Sequence, residues 1–469
     1  MRFINAVISL NHDLPKIKSY NKTGWTTEDC EDFAYPSLNS GAVVRRVGYD
    51  YERIFKAKGD PDAWKQKFQE ITEQGGAVAR IVIGAAAAAS LVKPLQLPNL
   101  QVHINGRKSI GKTPLLQFAV SIHGNPTFGA LTHTFAATPK NRLDKATAFS
   151  DLPLIFDELE SISKRDAEKL PEDVYNFYLG VGRQAQNKDG TARETKAFSG
   201  ARLTSGEHPL VESFGNAGEF KRVLDIHCSD LLEEEFASNL YGFCANNYGH
   251  FGEQWIKYII KNRELISKNY HQTLDTVKFN QKISGNENDL TQLRMLILAA
   301  VAYRHFKICI GLSNLETDAD AMNTDMSNDI SNIMCTLPTA EDIDDTKRAI
   351  DFLKSFTAGN EKFFMHEVNK PEFNNEFTHI TSECFGKIFK NGEVAFLPHA
   401  LKKILEREGG FKSADKLINE FRDKGYLRHT NGLNSFQTKI NGKNTRAIRF
   451  VSRVIFQPET DFEADTADV

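Results

Sequence analysis

The chain has 469 residues, 41% of them hydrophobic and 25% charged, and a net charge of −3. That length holds about three domains, and the composition is that of a soluble globular protein. A balance so near neutrality excludes a globally basic nucleic-acid binder, so any such surface must be local. Six cysteines (Cys30, Cys228, Cys244, Cys309, Cys335 and Cys384) lie far apart with no C-x-x-C pair. This argues against a zinc site and for a reducing, cytoplasmic setting. The N-terminus carries no signal pattern, again implying a cytosolic protein.

Residues 1–50 are weakly patterned. Ala63 to Gln74 reads as an amphipathic helix, with Trp64, Phe68 and Ile71 on one side and Asp60-Pro61 as its start signal. Ala77 to Val92 is a second helix. Its apolar run holds five consecutive alanines, too short for a bilayer and suited to a buried, closely packed helix. Leu100 to Ile104 alternates like a strand. Gly106, Arg107, Lys108, Ser109, Ile110, Gly111, Lys112 and Thr113 then spell the phosphate-binding loop G-x-x-x-x-G-K-[ST], and Leu115 to Ile122 has helical spacing. Between strand and helix the motif has mechanical meaning. Its glycines let successive N–H groups face one phosphate chain, and the helix adds its positive end. Lys112 would reach the β/γ-phosphates of ATP, and Thr113 would hold Mg²⁺.

Short β-type runs alternate with helical stretches up to about Ser229, which argues for a mostly parallel sheet flanked by helices. Leu152 to Glu158 is a buried strand ending in two carboxylates. Asp157 can bind Mg²⁺ through water, and Glu158 can polarise the attacking water. The third strand, Ala201 to Glu207, ends in Thr204 and Ser205, either of which could sense the γ-phosphate. Arg222 lies just before a fourth strand, where in a ring of ATPases an arginine points at the neighbour's nucleotide. Between these strands, Lys188-Asp189-Gly190-Thr191-Ala192-Arg193 carries a hairpin-turn signal. Its Lys188 and Arg193 could hold phosphates of single-stranded DNA in the pore of a ring.

Residues 232–310 read as helical throughout. Leu312 to Asp345 is rich in acidic and small polar residues and reads as a flexible connector. From Gly386 to Phe456 the chain has 15 Lys and Arg against 6 Asp and Glu. Two helices joined by Gly409-Gly410 precede two strands around Asn441-Gly442, an order that suggests a winged helix. Lys412 and Lys416 on or beside the second helix, and Lys439 and Lys443 on the hairpin, are candidate contacts to duplex DNA. The remaining tail is acidic.

Several of these segments occur together in order: Lys58 to Trp64, the alanine-rich helix, His103 to Gly106 into the loop, Leu152 to Glu158, Tyr178 to Arg183, and Ser205-Gly206-Glu207. Together they resemble the domain-of-unknown-function 927 family, found in helicases of phages, pathogenicity islands and resistance cassettes. That family is similar to minichromosome-maintenance helicases, self-loading AAA+ ATPases that form hexameric rings. The resemblance implies an α/β fold with an AAA+ P-loop NTPase core, a helical N-terminal region, a helical lid and a C-terminal winged-helix domain. It divides the chain at 1–95, 96–230, 231–312, an acidic linker 313–345, a winged helix 346–456 and a tail 457–469. It assigns Lys112 and Thr113, Asp157 and Glu158, a sensor at Thr204 or Ser205, and an arginine finger at Arg222, with Arg294 as a candidate second sensor. The implied activity is DNA-dependent ATP hydrolysis driving a helicase during replication initiation of a mobile element or prophage. The alternative is an origin-binding initiator or loader that uses ATP as an assembly switch without unwinding.

Overall fold

The computed structural model describes residues 18–35, 42–167, 169–182, 196–210, 221–284, 290–314, 317–337, 345–367, 384–411, 413–428, 434–440, 443–452 and 454–455. They divide into two compact units, split near residue 338. In the first unit, residues 18–44 hold four short strands rather than helix: β1 (Lys18–Tyr20), β2 (Gly24–Trp25), β3 (Phe33–Ala34) and β4 (Ala42–Val44). They are anchored on the main sheet's underside: Trp25 N–H donates to Asp151 Oδ2 at 3.0 Å, and its indole N–H to the Ser90 carbonyl at 3.0 Å.

The main sheet contains β5 (Leu100–Asn105), β6 (Thr132–Thr134), β7 (Leu152–Asp157), β8 (Gly200–Gly206) and β9 (Leu224–His227). Its order is β6-β7-β8-β5-β9, and every pairing is parallel. β5, β7 and β8 are buried along their whole lengths, as strands covered by helices on both faces must be. β8 lies between the loop strand β5 and the acid-ended strand β7. All C-terminal strand ends therefore share one edge, where α/β sheets bind ligands.

The helix Gly76–Ala88 is the centre of the unit. Apart from Arg80 it is apolar all round, and it rests on β5, β7 and β8. The helix Leu290–Cys309 crosses it at Gly84, where an added methyl carbon would lie 2.1 Å from the Ala299 carbonyl oxygen. Small residues are thus used for close approach of two backbones. Helix Pro61–Gln74 adds Trp64, fully buried, stacked on Phe118 at 4.6 Å and hydrogen-bonded to Ser121 Oγ at 2.8 Å.

Residues on both sides of 95/96 and of 230/231 belong to one compact unit, because the alanine-rich helix and the Leu290–Cys309 helix complete the sheet's own core. One expectation is corrected here. The stretch read as a flexible acidic linker contains the helix Ala319–Thr336. Met322, Met326, Ile330 and Ile333 form a buried stripe at spacings of four, four and three. Buried Asp329 accepts two hydrogen bonds from Arg80, at 2.7 and 2.6 Å. Asp325 and Asp329 of this stretch therefore lie on a packed helix.

The second unit holds β10 (Phe364–His366), β11 (Gly386–Ile388), β12 (Val394–Phe396), β13 (Leu427–Arg428), β14 (Phe436–Ile440) and β15 (Lys443–Phe450). The order is β10-β11-β12-β15-β13, with β14 paired to β15. Helices Asp345–Gly359, Pro398–Lys403 and Ala414–Asp423 pack Leu353, Leu401 and Phe421 against Phe364, Phe396 and Phe450. Ser413 caps the last helix, its hydroxyl accepting from Lys416 N–H at 3.3 Å. β14 and β15 pair Ile440 with Lys443, which leaves two residues for their connection.

Candidate nucleotide site and nucleic-acid surfaces

The phosphate-binding loop runs from the end of β5 into the helix Lys112–Val120. Gly106, Ser109 and Gly111 have φ of 147°, 64° and 87°. These positive angles curl the loop, and neither glycine position has room for a side chain. A methyl carbon on Gly106 would sit 2.1 Å from the Cys228 oxygen, and one on Gly111 2.8 Å from Leu232 Cβ. Pro114 falls in the helix's first turn, where its missing N–H is harmless. Lys112 Nζ donates to the carbonyls of Gly106 and Arg107, both at 2.7 Å, so the ammonium lies over the loop's own mouth. Burial lowers the Lys112 pKa from its ordinary value. Arg107 pairs with Asp230 at 2.5 Å and Lys108 with Glu207 at 3.0 Å, both at the exposed rim.

The acid strand and the third strand converge on this loop. Asp157, 1% exposed, accepts from Thr113 Oγ1 at 3.1 Å and from Ser205 Oγ. Register explains which of the two sensor candidates arrives there. Phe156 pairs with Thr204, so Asp157 and Ser205 follow side by side. Thr204 points to the other face, where its Oγ1 meets His103 Nδ1 at 2.9 Å. His103 Nε2 lies 3.1 Å from the His208 carbonyl. A carbonyl only accepts, so Nε2 carries the proton, while the Thr204 hydroxyl also lies 3.2 Å from the Val102 carbonyl.

Glu158 is exposed and takes a left-handed backbone, φ 58° and ψ 75°. For a residue with a side chain this costs about 1 kcal/mol, and such angles concentrate at functional sites. The Glu158 carboxylate lies close enough to the loop to act on the Lys108 charge. Next to it, Glu160 accepts from the N–H groups of Glu207 and His208 and ties the β7 and β8 ends together. Burial pushes its carboxyl up, but these donors hold it below the usual range.

Two groups here escaped sequence reasoning. Tyr241, on helix Glu234–Cys244, places its hydroxyl beside the Thr113 side chain, and burial raises its pKa. Asn105 donates to buried Asp225 at 2.7 Å, and its oxygen meets His227 Nδ1 at 2.8 Å. No fixed spacing links these positions to the loop.

Arg222 occupies the opposite edge of the sheet. Val102 pairs with Leu224, so Arg222 stands level with Leu100, the first residue of β5. Its carbonyl accepts from Gln101 Nε2 at 3.0 Å. Six residues of strand, about 20 Å, separate it from the loop of its own chain. Its guanidinium lies 4.6 Å from the centre of the Tyr175 ring, which is 41% exposed. Arg294 is exposed near that same edge, since Gln292 on its helix donates to the Val223 carbonyl at 3.1 Å. It does not approach its own chain's loop.

Of the candidate DNA contacts, Lys188, Arg193 and Lys412 lie outside the described residues, as does the side chain of Lys443. Lys416 is exposed on the first turn of Ala414–Asp423, 3.7 Å from Glu420. Lys439 and Arg446 are exposed on β14 and β15. Arg449, also on β15, is half-buried and turns inward. It lies 3.8 Å from the Phe389 ring centre and pairs with buried Glu393, which also accepts from Arg428 at 2.8 Å. Among the described residues no cluster of three His, Cys, Asp or Glu side chains forms a metal site. None of the helices there is long and apolar enough to cross a membrane.

Two family models match separate parts of the chain. Residues 2–197 match a family model described as a domain of unknown function, DUF927. Residues 344–456 match a second, described as a Cch helix turn helix domain. No curated protein matches the chain. The fold is similar to a solved structure described as "SCCmec type IV Cch - active helicase", with a TM-score of 0.65 at 18% identity, covering 96% of this chain and 82% of that one. A structure described as "The A form apo structure of NrS-1 C terminal region-CTR" aligns over 95% of this chain and 89% of that one, at 13% identity and a TM-score of 0.33.

Proposed function

We propose that this chain is an ATP-driven DNA helicase of the AAA+ P-loop class. It works as a ring, with six copies as the expected number, on single-stranded DNA during replication initiation of a mobile genetic element or prophage. The observation that carries this reading is the convergence of Thr113 and Ser205 on buried Asp157, beside the Lys112 loop. A lone carboxylate with hydroxyl oxygens suits Mg²⁺, which keeps waters and takes its other ligands from substrate phosphates. When bound, the metal would neutralise β- and γ-phosphate oxygens. Lys112 would leave its loop carbonyls for those phosphates. Glu158 would take a proton from the water attacking Pγ as the bond to the β-bridging oxygen breaks, and ADP would leave. Ser205 would orient Asp157 and sense the γ-phosphate.

Arg222 supports a ring. It cannot reach its own loop across about 20 Å of sheet, so any action on phosphate would be on a neighbour's. ATP turnover would move the segment carrying Lys188 and Arg193 along one DNA strand. The C-terminal unit, read as a winged helix, would hold duplex DNA through Lys416, Lys439 and their neighbours Lys412 and Lys443.

The test is ATPase rate with and without single-stranded DNA, with strand separation on a forked duplex and mass in solution measured alongside. Lys112→Ala and Glu158→Gln should each abolish turnover; near-normal rates in either would refute the site. Arg222→Ala should lose turnover yet bind ATP. Mixed with Glu158→Gln protein under subunit exchange, it should recover partial activity, and no recovery would count against action in trans. Stimulated turnover without strand separation would favour the initiator or loader reading.

A further inference from the structure

Away from the nucleotide loop, a cavity of about 250 Å³ lies among the helices Pro61–Gln74, Gly76–Ala88, Leu290–Cys309 and Ala319–Thr336. Its apolar lining includes Phe68, Ile81, Ala300, Met322 and Met326, with the Tyr303 ring stacked on Phe68 at 5.7 Å. The polar lining is unevenly satisfied. Arg80 is neutralised by its two hydrogen bonds to Asp329. Glu73 and Asp325 line the cavity but are exposed, so water stabilises them at its rim. Lys307 is half-buried.

Arg304 is the exception. It is 9% exposed, and its guanidinium meets one neutral acceptor, Asn323 Oδ1, at 2.6 Å. Its Nε is buried without a hydrogen-bond partner. No carboxylate among the described residues forms an ion pair with it. A largely buried cation served only by an amide oxygen is unfavourable, and proteins keep such groups where something else supplies the charge. Burial lowers the Arg304 pKa, opposed in part by the Tyr258 phenol and by no carboxylate.

We propose that this cavity is a binding site for a small singly charged anion, a carboxylate or phosphate monoanion on a flat apolar body. Arg304 grips the charged head with its free N–H groups, and the body packs along Tyr303, Phe68 and the two methionines. The site sits one residue from the Gly84 crossing, since Ala300 follows the Ala299 whose carbonyl Gly84 faces. An occupant therefore braces the helix that rests on β5, β7 and β8.

The experiment uses the full chain and two probes of equal shape, 1-naphthoate and neutral 1-naphthamide, followed by titration calorimetry. Naphthoate should saturate one site per chain, with affinity at least about tenfold above the amide. Arg304→Gln should remove that preference, while Lys112→Ala should keep it. Saturating ATP should leave naphthoate bound. Equal affinity for the two probes, no saturable binding, an unchanged preference in Arg304→Gln, or displacement by ATP would each overturn the proposal. If Arg304→Gln does not fold, the naphthoate-to-naphthamide ratio in the unaltered protein, with ATP competition, decides the matter.

Discussion

Thr204 and Ser205 are adjacent, chemically similar and buried, yet the sheet gives them opposite tasks. Ser205 shares Asp157 with Thr113, whereas Thr204 serves His103 on the other face. On the proposed function, Ser205→Ala should lower ATP turnover by about 100-fold while nucleotide binding persists, because it removes the hydrogen bond that fixes Asp157. Thr204→Ala should leave turnover within about threefold but cost roughly 1 kcal/mol of stability through its lost buried hydrogen bond. Turnover assays with a fluorescent-nucleotide titration and urea unfolding separate the two. If Thr204→Ala shows the larger loss of turnover, the geometric assignment of the sensor is wrong. Both residues lie at a strand end, where alternation alone cannot say which of two neighbours faces the ligand. The register with β7 removes that ambiguity.

Helix contacts set a second group of expectations. Gly84 is chosen for proximity: its position admits no Cβ without moving the Ala299 carbonyl. Gly84→Ala, favourable for an isolated helix, should instead destabilise the first unit by about 1–3 kcal/mol through overpacking. Urea denaturation followed by far-UV circular dichroism measures this, and an unchanged or raised midpoint would mean the two helices separate freely. The acidic stretch before residue 338 teaches a related point. Its charge density suggested a connector, but one apolar residue per helical turn was enough to bind it to the core. Composition averages over all faces of a helix, whereas packing uses only one.

Three of the four histidines buried among the described residues should make the folded chain sensitive to mild acid. Burial pushes His123 and His133 down to about 3, with Lys145 adding to the latter, and His305 down to about 4 with help from Arg304. The His305 ring lies 3.1 Å from the Tyr258 hydroxyl and 3.0 Å from the Asn269 amide nitrogen. An unfolded histidine titrates near pH 6.5, so between that pH and the folded values the unfolded chain binds more protons. Stability is therefore complete above about pH 6.5 and is lost as pH falls below it, by up to about 1.4 kcal/mol per pH unit for each histidine. Urea midpoints should drop steeply between pH 7 and 5, before most carboxylates titrate. A flat profile over that window would show that these rings are hydrated in the native state.

Much of the chemistry was legible along the chain because it rests on local backbone and composition. The loop Gly106 to Thr113 must curl with glycines, Leu152 to Asp157 must be apolar to cross a covered sheet, and the hairpin arms Phe436 to Ile440 and Lys443 to Phe450 flank an Asn-Gly pair. Those constraints act between neighbours, so spacing reports them. What spacing could not report is distance through the fold. Tyr241 meets Thr113, Arg80 meets Asp329, and Arg222 stands a full strand length from its own loop. Each depends on strand order, register or helix crossing, which are set by collective burial of apolar surface rather than by any residue pair near in sequence.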